Sequence, residues 1–270
     1  MSGGRSEGRG NGLRDIVRAE WAKVLTLPAA RWALASVPLL GVAFGVMVAA
    51  GQAGDEPDGA PDDELARMHP LFPSLLSLTL AQLGLVVFGV LAAGGEFRGG
   101  LLRASLLAVP RRGRFFAGKA LAAAVPAAAV SLVTVAATYG VTRAVLGERA
   151  SGLREHGTIW ALAGAWLYLT LITLISLGAA MVLRGSARAL GLLLPLLFLS
   201  SQGLGNVPVL RSVLQFFPDQ AGLVLMRLVA QSGAERFTRD YGPGTAVLLL
   251  LAWSAAVLAA GCAVLRRHEA

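Results

Sequence analysis

The sequence predicts an all-α integral membrane protein with six transmembrane helices and both termini in the cytoplasm. Three observations predict it. The 270-residue chain is 55% hydrophobic and only 15% charged, where soluble domains carry about 45–50% and about 25%, and its mean hydropathy is +0.64. The apolar residues fall into six runs, roughly Trp32–Gly51, Leu71–Gly95, Phe116–Thr142, Ile159–Leu183, Ala189–Gly205 and Thr245–Leu265; a span takes about 20 residues, with about 17–25 tolerated. Lys and Arg gather on the flanks of alternate runs, as orientation in a bilayer requires.

Met1–Gly12 is polar and Gly-rich, and is expected to be a disordered tail and not a cleaved signal peptide. Residues 13–30 read as an interfacial amphipathic helix. Leu13, Ile16, Val17, Trp21 and Val24 form its apolar stripe, with Arg14, Asp15 and Arg18 off it. Such a helix lies along the cytoplasmic interface, its cations toward anionic lipid. Glu20 falls on the apolar stripe, and Lys23 one turn on is its expected partner.

Residues 31–270 form the expected six-helix transmembrane domain. Its fifth run is the shortest and contains Pro195; Pro38 and Pro126 also fall inside spans, where neighbouring helices re-satisfy the freed carbonyls. Small residues, as in Ala120–Ala129 and Gly178–Ala180, allow close helix packing. With six spans, the tail, the second and fourth loops and the C-terminus share one side. That side holds sixteen of the 24 Lys and Arg residues, including Arg111, Arg112, Arg114, Lys119, Arg184, Arg188, Arg266 and Arg267. The first loop, by contrast, carries Asp55, Glu56, Asp58, Asp62, Asp63 and Glu64 against Arg67. The basic side is therefore assigned to the cytoplasm.

Two loops carry further information. In Glu96–Lys119, Leu101, Leu102, Leu106 and Val109 share a helical face, with Arg98 and Arg103 on others, and Pro110 ends the helix. A short helix along the membrane with a basic exit suits docking of a soluble partner. In the outer connection Asn206–Pro243, Asp219 reads as an N-cap. Gln220–Ala230 is apolar enough to lie in the outer interface or fold over the bundle.

Several chemistries find no foothold. The net charge of +8 borders apolar runs and accompanies no nucleic-acid motif. Cys262 has no second cysteine with which to form a disulfide within the chain. The sequence contains no HExxH; Gly4-Arg5-Ser6-Glu7-Gly8 spells GxSxG only within the polar tail and not as a strand-to-helix nucleophile elbow, and His69, His156 and His268 lie outside the spans. The span centres lack the carboxylates of an ion-coupled relay. Gly113–Ala120 nearly matches GxxxxGK[ST], but Ala120 replaces the Mg²⁺-binding hydroxyl and no strand precedes it, so the chain is not expected to hydrolyse ATP or to bind a cofactor or metal.

Certain motifs point to a family. Arg18-Ala19-Glu20-Trp21-Ala22-Lys23 resembles the AEWxK segment of actinobacterial ABC-2-type permeases of ATP-binding-cassette (ABC) transporters. Gly95-Glu96-Phe97-Arg98-Gly99-Gly100, then Pro110-Arg111-Arg112-Gly113-Arg114 and Gly118-Lys119-Ala120, resemble that family's E[YF]RxGT…PRRxR…AK region, with Gly100 where Thr is frequent. Phe217-Pro218-Asp219-Gln220-Ala221-Gly222 is similar to its LPxxAG segment. The resemblance runs from about Leu13 to the end.

It implies a multi-pass permease subunit of the bacterial inner membrane, working mostly in export. Its partners would be a second permease subunit and separate ATPase subunits that bind ATP and Mg²⁺. Glu96, Phe97, Arg98, Gly99, Leu101, Leu102, Arg103, Leu106, Pro110, Arg111, Arg112 and Arg114 would form the coupling surface, braced by the helix of Glu20, Trp21 and Lys23. The apolar spans, with Gln82 and Gln202 as scattered polar groups, suit a lipophilic or amphipathic cargo. The competing reading is a membrane assembly or regulatory protein that needs no ATPase.

Overall fold

A computed structural model describes residues 13–54, 71–94, 97, 112–155, 157–201, 212–228 and 239–267. Among them the chain is all-helical. The helices are α1 (Leu13–Thr26), α2 (Pro28–Gly54), α3 (Phe72–Gly94), α4 (Arg112–Leu146), α5 (Thr158–Val182), α6 (Ser186–Ser201), α7 (Pro218–Leu225) and α8 (Pro243–Arg267). A 3-10 turn, Gly147–Arg149, follows α4.

Five helices, α2, α3, α4, α5 and α8, are long and apolar enough to cross a membrane, which makes this a multi-pass membrane protein by length and composition. The expected fifth span, 189–205, is the exception. Its described residues fall in α6, which covers 16 residues, or about 24 Å at 1.5 Å per residue, against a hydrocarbon core of about 30 Å; 202–205 lie outside the described residues. Proline 195 inside it removes one backbone donor.

α3 and α5 are central: 72% and 67% of their apolar windows are buried, against 17% for α8. Small residues make this packing possible, because in lipid helices associate through close contact and not through flight from water. The buried stripe of α2 is Ala30, Ala33, Val37, Gly41, Gly45 and Ala49. It faces a threonine ladder on α4: a Cβ at Gly41 would lie 2.9 Å from Thr134 Cγ2, and one at Gly45 would lie 3.0 Å from Thr138 Cγ2. The ladder is satisfied within its own helix, Thr134, Thr138 and Thr142 donating to the carbonyls of Val130, Thr134 and Thr138 at 2.8, 2.6 and 2.9 Å.

The helix ends sort by charge. One end gathers α1, the last turn of α3, the start of α4, the α5–α6 turn and the end of α8. Lys119 touches Glu20 and the Ala92 carbonyl, and Arg112 reaches the Arg266 carbonyl. Gly94 abuts Ser186, and Gly261 abuts Met181. The opposite end joins Tyr139 to the Ser151 carbonyl at 2.7 Å and sets Gly164 under the Leu225 carbonyl. Along α4 no charge intervenes between Lys119 and Arg143, a distance of about 36 Å. Trp32, near the start of α2, and Trp160, near the start of α5, are 75% and 76% exposed. Indoles so placed mark the two membrane–water interfaces.

The α5–α6 turn is tight. Arg184 adopts φ 53, and the Gly185 amide donates to the Ala180 carbonyl at 3.3 Å, closing the end of α5. A second left-handed residue, Arg227 (φ 57), ends α7, and its guanidinium lies over Gly157 (φ 98), where any side chain would collide with it.

Candidate functional site

At the basic end, α1 docks on α4. Ile16 is buried against Gly118, where a Cβ would lie 2.5 Å from Ile16 Cγ2. One turn on, Glu20 is 3% exposed and takes two ammonium groups: Lys23 Nζ at 2.6 Å from Oε1 and Lys119 Nζ at 2.6 Å from Oε2. Lys119, also 3% exposed, donates to the Ala92 carbonyl in the last turn of α3 at 3.1 Å. Lys23 and Lys119 lie 5.9 and 5.6 Å from the centroid of the Phe115 ring. A buried carboxylate persists only when paired and hydrogen-bonded, and this one is.

The expected Glu20–Lys23 pair is therefore present, and a further partner joins it that sequence reasoning assigned only to topology. The signal for Lys119 was Glu20 itself, an acid on an apolar stripe. The stripe also turns differently from expectation. Trp21 is 40% exposed; it sits about 100° around the helix from Glu20, off the face that α4 covers. The apolar face of α1 meets protein, not only lipid.

Of the expected coupling surface, Glu96, Arg98, Gly99, Leu101, Leu102, Arg103, Leu106, Pro110 and Arg111 lie outside the described residues. Phe97 is half-buried against the core. Arg114 is exposed in the first turn of α4. Arg112 faces inward: its Nη1 donates to the Leu265 and Arg266 carbonyls at 3.2 and 2.7 Å, closing the C-terminus of α8 where a cation is favoured. Gly113–Ala120 opens α4 as continuous helix, with none of the strand–loop–helix form of a phosphate-binding loop.

Between α2, α3 and α6 runs an apolar groove of about 640 Å³, lined by Ala33, Ser36, Leu40, Leu83, Gly84, Val87, Leu194, Pro195, Phe198 and Leu199. Its one hydroxyl, that of Ser36, turns back to the Ala33 carbonyl at 2.8 Å. Such a wall offers dispersion and shape to a lipophilic group and no polar recognition.

At the opposite end α7 folds into the bundle. Pro218, Asp219, Gln220, Ala221, Gly222, Val224 and Leu225 are all buried. Phe217, not Asp219, occupies the N-cap, with Pro218 in the first turn, because proline's fixed φ and missing donor suit that turn. Gly222 lies against the Tyr168 ring, and the Tyr168 hydroxyl donates to Gln82 Oε1 at mid-span of α3. Arg239 Nη2 donates to Gln220 Oε1 at 2.5 Å, Gln220 Nε2 to Asp219 Oδ2 at 2.7 Å, and Gln215 Nε2 to Asp240 Oδ2 at 2.8 Å. The Tyr241 hydroxyl donates to the Gln215 carbonyl. Burial pushes the Tyr241 phenol up to about 12, with Arg239 opposing the rise and Asp219 adding to it. Trp253 Nε1 donates to the Phe216 carbonyl at 2.8 Å and its ring stacks on Phe217. The sequence reading, an apolar segment lying in the interface or folding over the bundle, did not reach this cap's buried polar contacts.

No family model matches the chain, and no curated protein is significantly similar to it.

Proposed function

We propose that this chain is the permease subunit of an ATP-driven transporter of the ABC-2 type, exporting a lipophilic or amphipathic cargo with a separate ATPase and a second permease subunit. The observation that carries the reading is the basic end. There Glu20 and Lys119 join the amphipathic helix to the two helix ends between which the resembling motif runs. A helix pair so tied beside Arg114 is what a soluble motor needs in order to push on a bundle. The groove supports the cargo class, having an almost wholly apolar wall.

Parity supports six crossings with both termini in the cytoplasm. α2 starts and α8 ends at the basic end, so an even number of crossings separates them. Five long helices then call for a sixth, and α6, which leaves the basic end at Ser186 beside Gly94, is the helix that supplies it. The excess of Lys and Arg assigns that end to the cytoplasm.

The test is affinity purification from native membranes in mild detergent, with identification of co-purifying chains and an ATPase assay. Charge reversal at Arg111 and Arg114 is the perturbation of choice, because Arg112 is engaged with α8. A stoichiometric ATPase, held by wild type and lost on reversal, is the expected result. Recovery of the chain without any ATPase would favour a membrane assembly protein that does not transport.

A further inference from the structure

The Glu20–Lys119 pair does more than hold α1 down. Lys119, four residues after Phe115 on α4, bonds the last turn of α3 through the Ala92 carbonyl and bonds α1 through Glu20. Three elements distant in sequence thus share one ammonium. α1 is in turn joined to α2 with Leu27 as the single non-helical residue between them. Even that break is bridged: the Leu27 amide donates to the Lys23 carbonyl at 3.2 Å, and the amides of Ala30 and Arg31 donate to the Leu27 carbonyl at 3.1 and 3.2 Å. A tilt of α1 therefore has little slack to absorb it before α2 moves. The first residues of α2 to line the apolar groove, Ala33 and Ser36, follow within about three turns of this junction, and Ser36 lies about 12 Å along the axis from Pro28.

We infer that Lys119 and Glu20 are positioning residues that set the α2 wall of the groove. They make the end of α3, the start of α4 and α1 a single body, and α1 carries the position of that body through Leu27 to Ala33 and Ser36. Charge is the right material for such a joint. In a medium where apolar surfaces of lipid and protein compete on nearly equal terms, packing alone gives α1 little reason to prefer α4 over the bilayer. A buried pair with hydrogen-bonded partners does, since separating it leaves a charge uncompensated. In the permease reading, on which the consequence for cargo rests, this joint lets displacement at the basic end widen or narrow the groove; the joint itself stands without that reading.

The experiment uses the full chain in lipid nanodiscs, with wild type, Lys119→Met, Glu20→Gln and the conservative variant Lys119→Arg, which keeps both the charge and the donors. Hydrogen–deuterium exchange reads the joint. Neutralising either partner should raise exchange by about tenfold or more in α1, the last turn of α3 and the first turns of α4 together, and Lys119→Arg should keep protection. Spin labels at Leu40→Cys and Leu199→Cys, on opposite groove walls in a Cys262→Ala background, read the groove. Their distance distribution should shift or broaden in the neutralised variants and stay as in wild type in Lys119→Arg.

Exchange in α1 unchanged by neutralisation would overturn the inference, as would release of α1 with the groove distances unmoved. Glu20→Gln keeps the shape of the side chain, so it carries the test if Lys119→Met fails to fold. Neither readout needs an ATPase or a cargo, so loss of the permease reading would leave this result standing, and the reverse holds too.

Discussion

Lys119 Nζ lies 2.6 Å from Glu20 Oε2 although the two residues are 99 positions apart, and both side chains are almost wholly removed from solvent. Breaking a buried pair by removing one member costs about 3–5 kcal/mol, whereas replacing both by apolar groups is often nearly neutral. The two single changes should differ. Lys119→Met leaves Glu20 bonded to Lys23, while Glu20→Leu takes the carboxylate from a buried ammonium. Glu20→Leu is therefore the more destabilising, and Glu20→Leu/Lys119→Met is milder than the two losses added together. Thermal unfolding in detergent, arranged as a double-mutant cycle, measures the coupling; additive losses would show that the pair contributes nothing as a pair.

Gly41 and Gly45 should tolerate no side chain. A Cβ at either meets Thr134 or Thr138 within 2.9–3.0 Å, and the threonines are held by their own helix carbonyls. Gly41→Leu should lower stability by about 1–3 kcal/mol through overpacking. Gly51→Leu, at a site with nothing within 4 Å, should leave the melting temperature nearly unchanged. Equal melting of the two variants would contradict the tight α2–α4 seam.

What the sequence could and could not reveal follows from the solvent. Runs of apolar residues long enough to cross a bilayer were legible because length and composition alone decide them. The apolar stripe of α1 was legible too, but periodicity cannot say whether lipid or protein covers a face, since both are apolar. Only Glu20, misplaced on such a stripe, hinted at a cation opposite, and 99 positions of chain hid which one. Arg112 read as a surface cation because its acceptors are backbone carbonyls of α8, invisible in any side-chain pattern. α7 read as lying in the interface or folding over the bundle, and the choice was not legible because its burial depends on Gly164 and Gly222 giving room to Leu225 and Tyr168. Among the described residues the count of long helices is five, because α6 spans only 16 of them, Ser186–Ser201, with Pro195 inside.

Arg112 and Arg114 should separate into structure and surface. Arg112→Ala removes the donor to the last carbonyls of α8 and should destabilise that end by about 0.3–1 kcal/mol, seen as faster amide exchange over the final turn of α8. Arg114→Ala, at an exposed position, should change stability by less than about 0.5 kcal/mol. Equal exchange in both variants would remove Arg112 from its capping role.

The cap formed around α7 should loosen at high pH. The Tyr241 phenol titrates at about 12 in the folded chain, against 10.0 for an unperturbed tyrosine. A folded-state value raised above the unfolded one means that the neutral phenol's stabilisation is complete below pH 10 and is lost as pH rises through 12. The difference between wild-type and Tyr241→Phe absorbance titrations near 295 nm should place the Tyr241 midpoint near the upper value. Trp253, whose indole is bonded to the Phe216 carbonyl beside the Phe216–Tyr241 stack, should change its fluorescence over the same interval. A midpoint near 10 would mean that the cap does not enclose Tyr241.

The sixth crossing can be tested by where cysteines react. In a Cys262→Ala background, Gly54→Cys and Gly242→Cys occupy positions with nothing within 4 Å, and Gly185→Cys meets only the Arg188 side chain at 3.7 Å, so none should disturb the fold. Gly54 ends α2 and Gly242 precedes α8, both at the end opposite Lys119; Gly185 lies in the α5–α6 turn, at the basic end. If α6 and the residues after it cross the bilayer, a membrane-impermeant maleimide added to intact cells labels Gly54→Cys and Gly242→Cys. Gly185→Cys then reacts only after permeabilisation. Labelling of Gly185→Cys and Gly242→Cys from the same side would remove the sixth crossing, and with it the parity on which cytoplasmic placement of both termini rests.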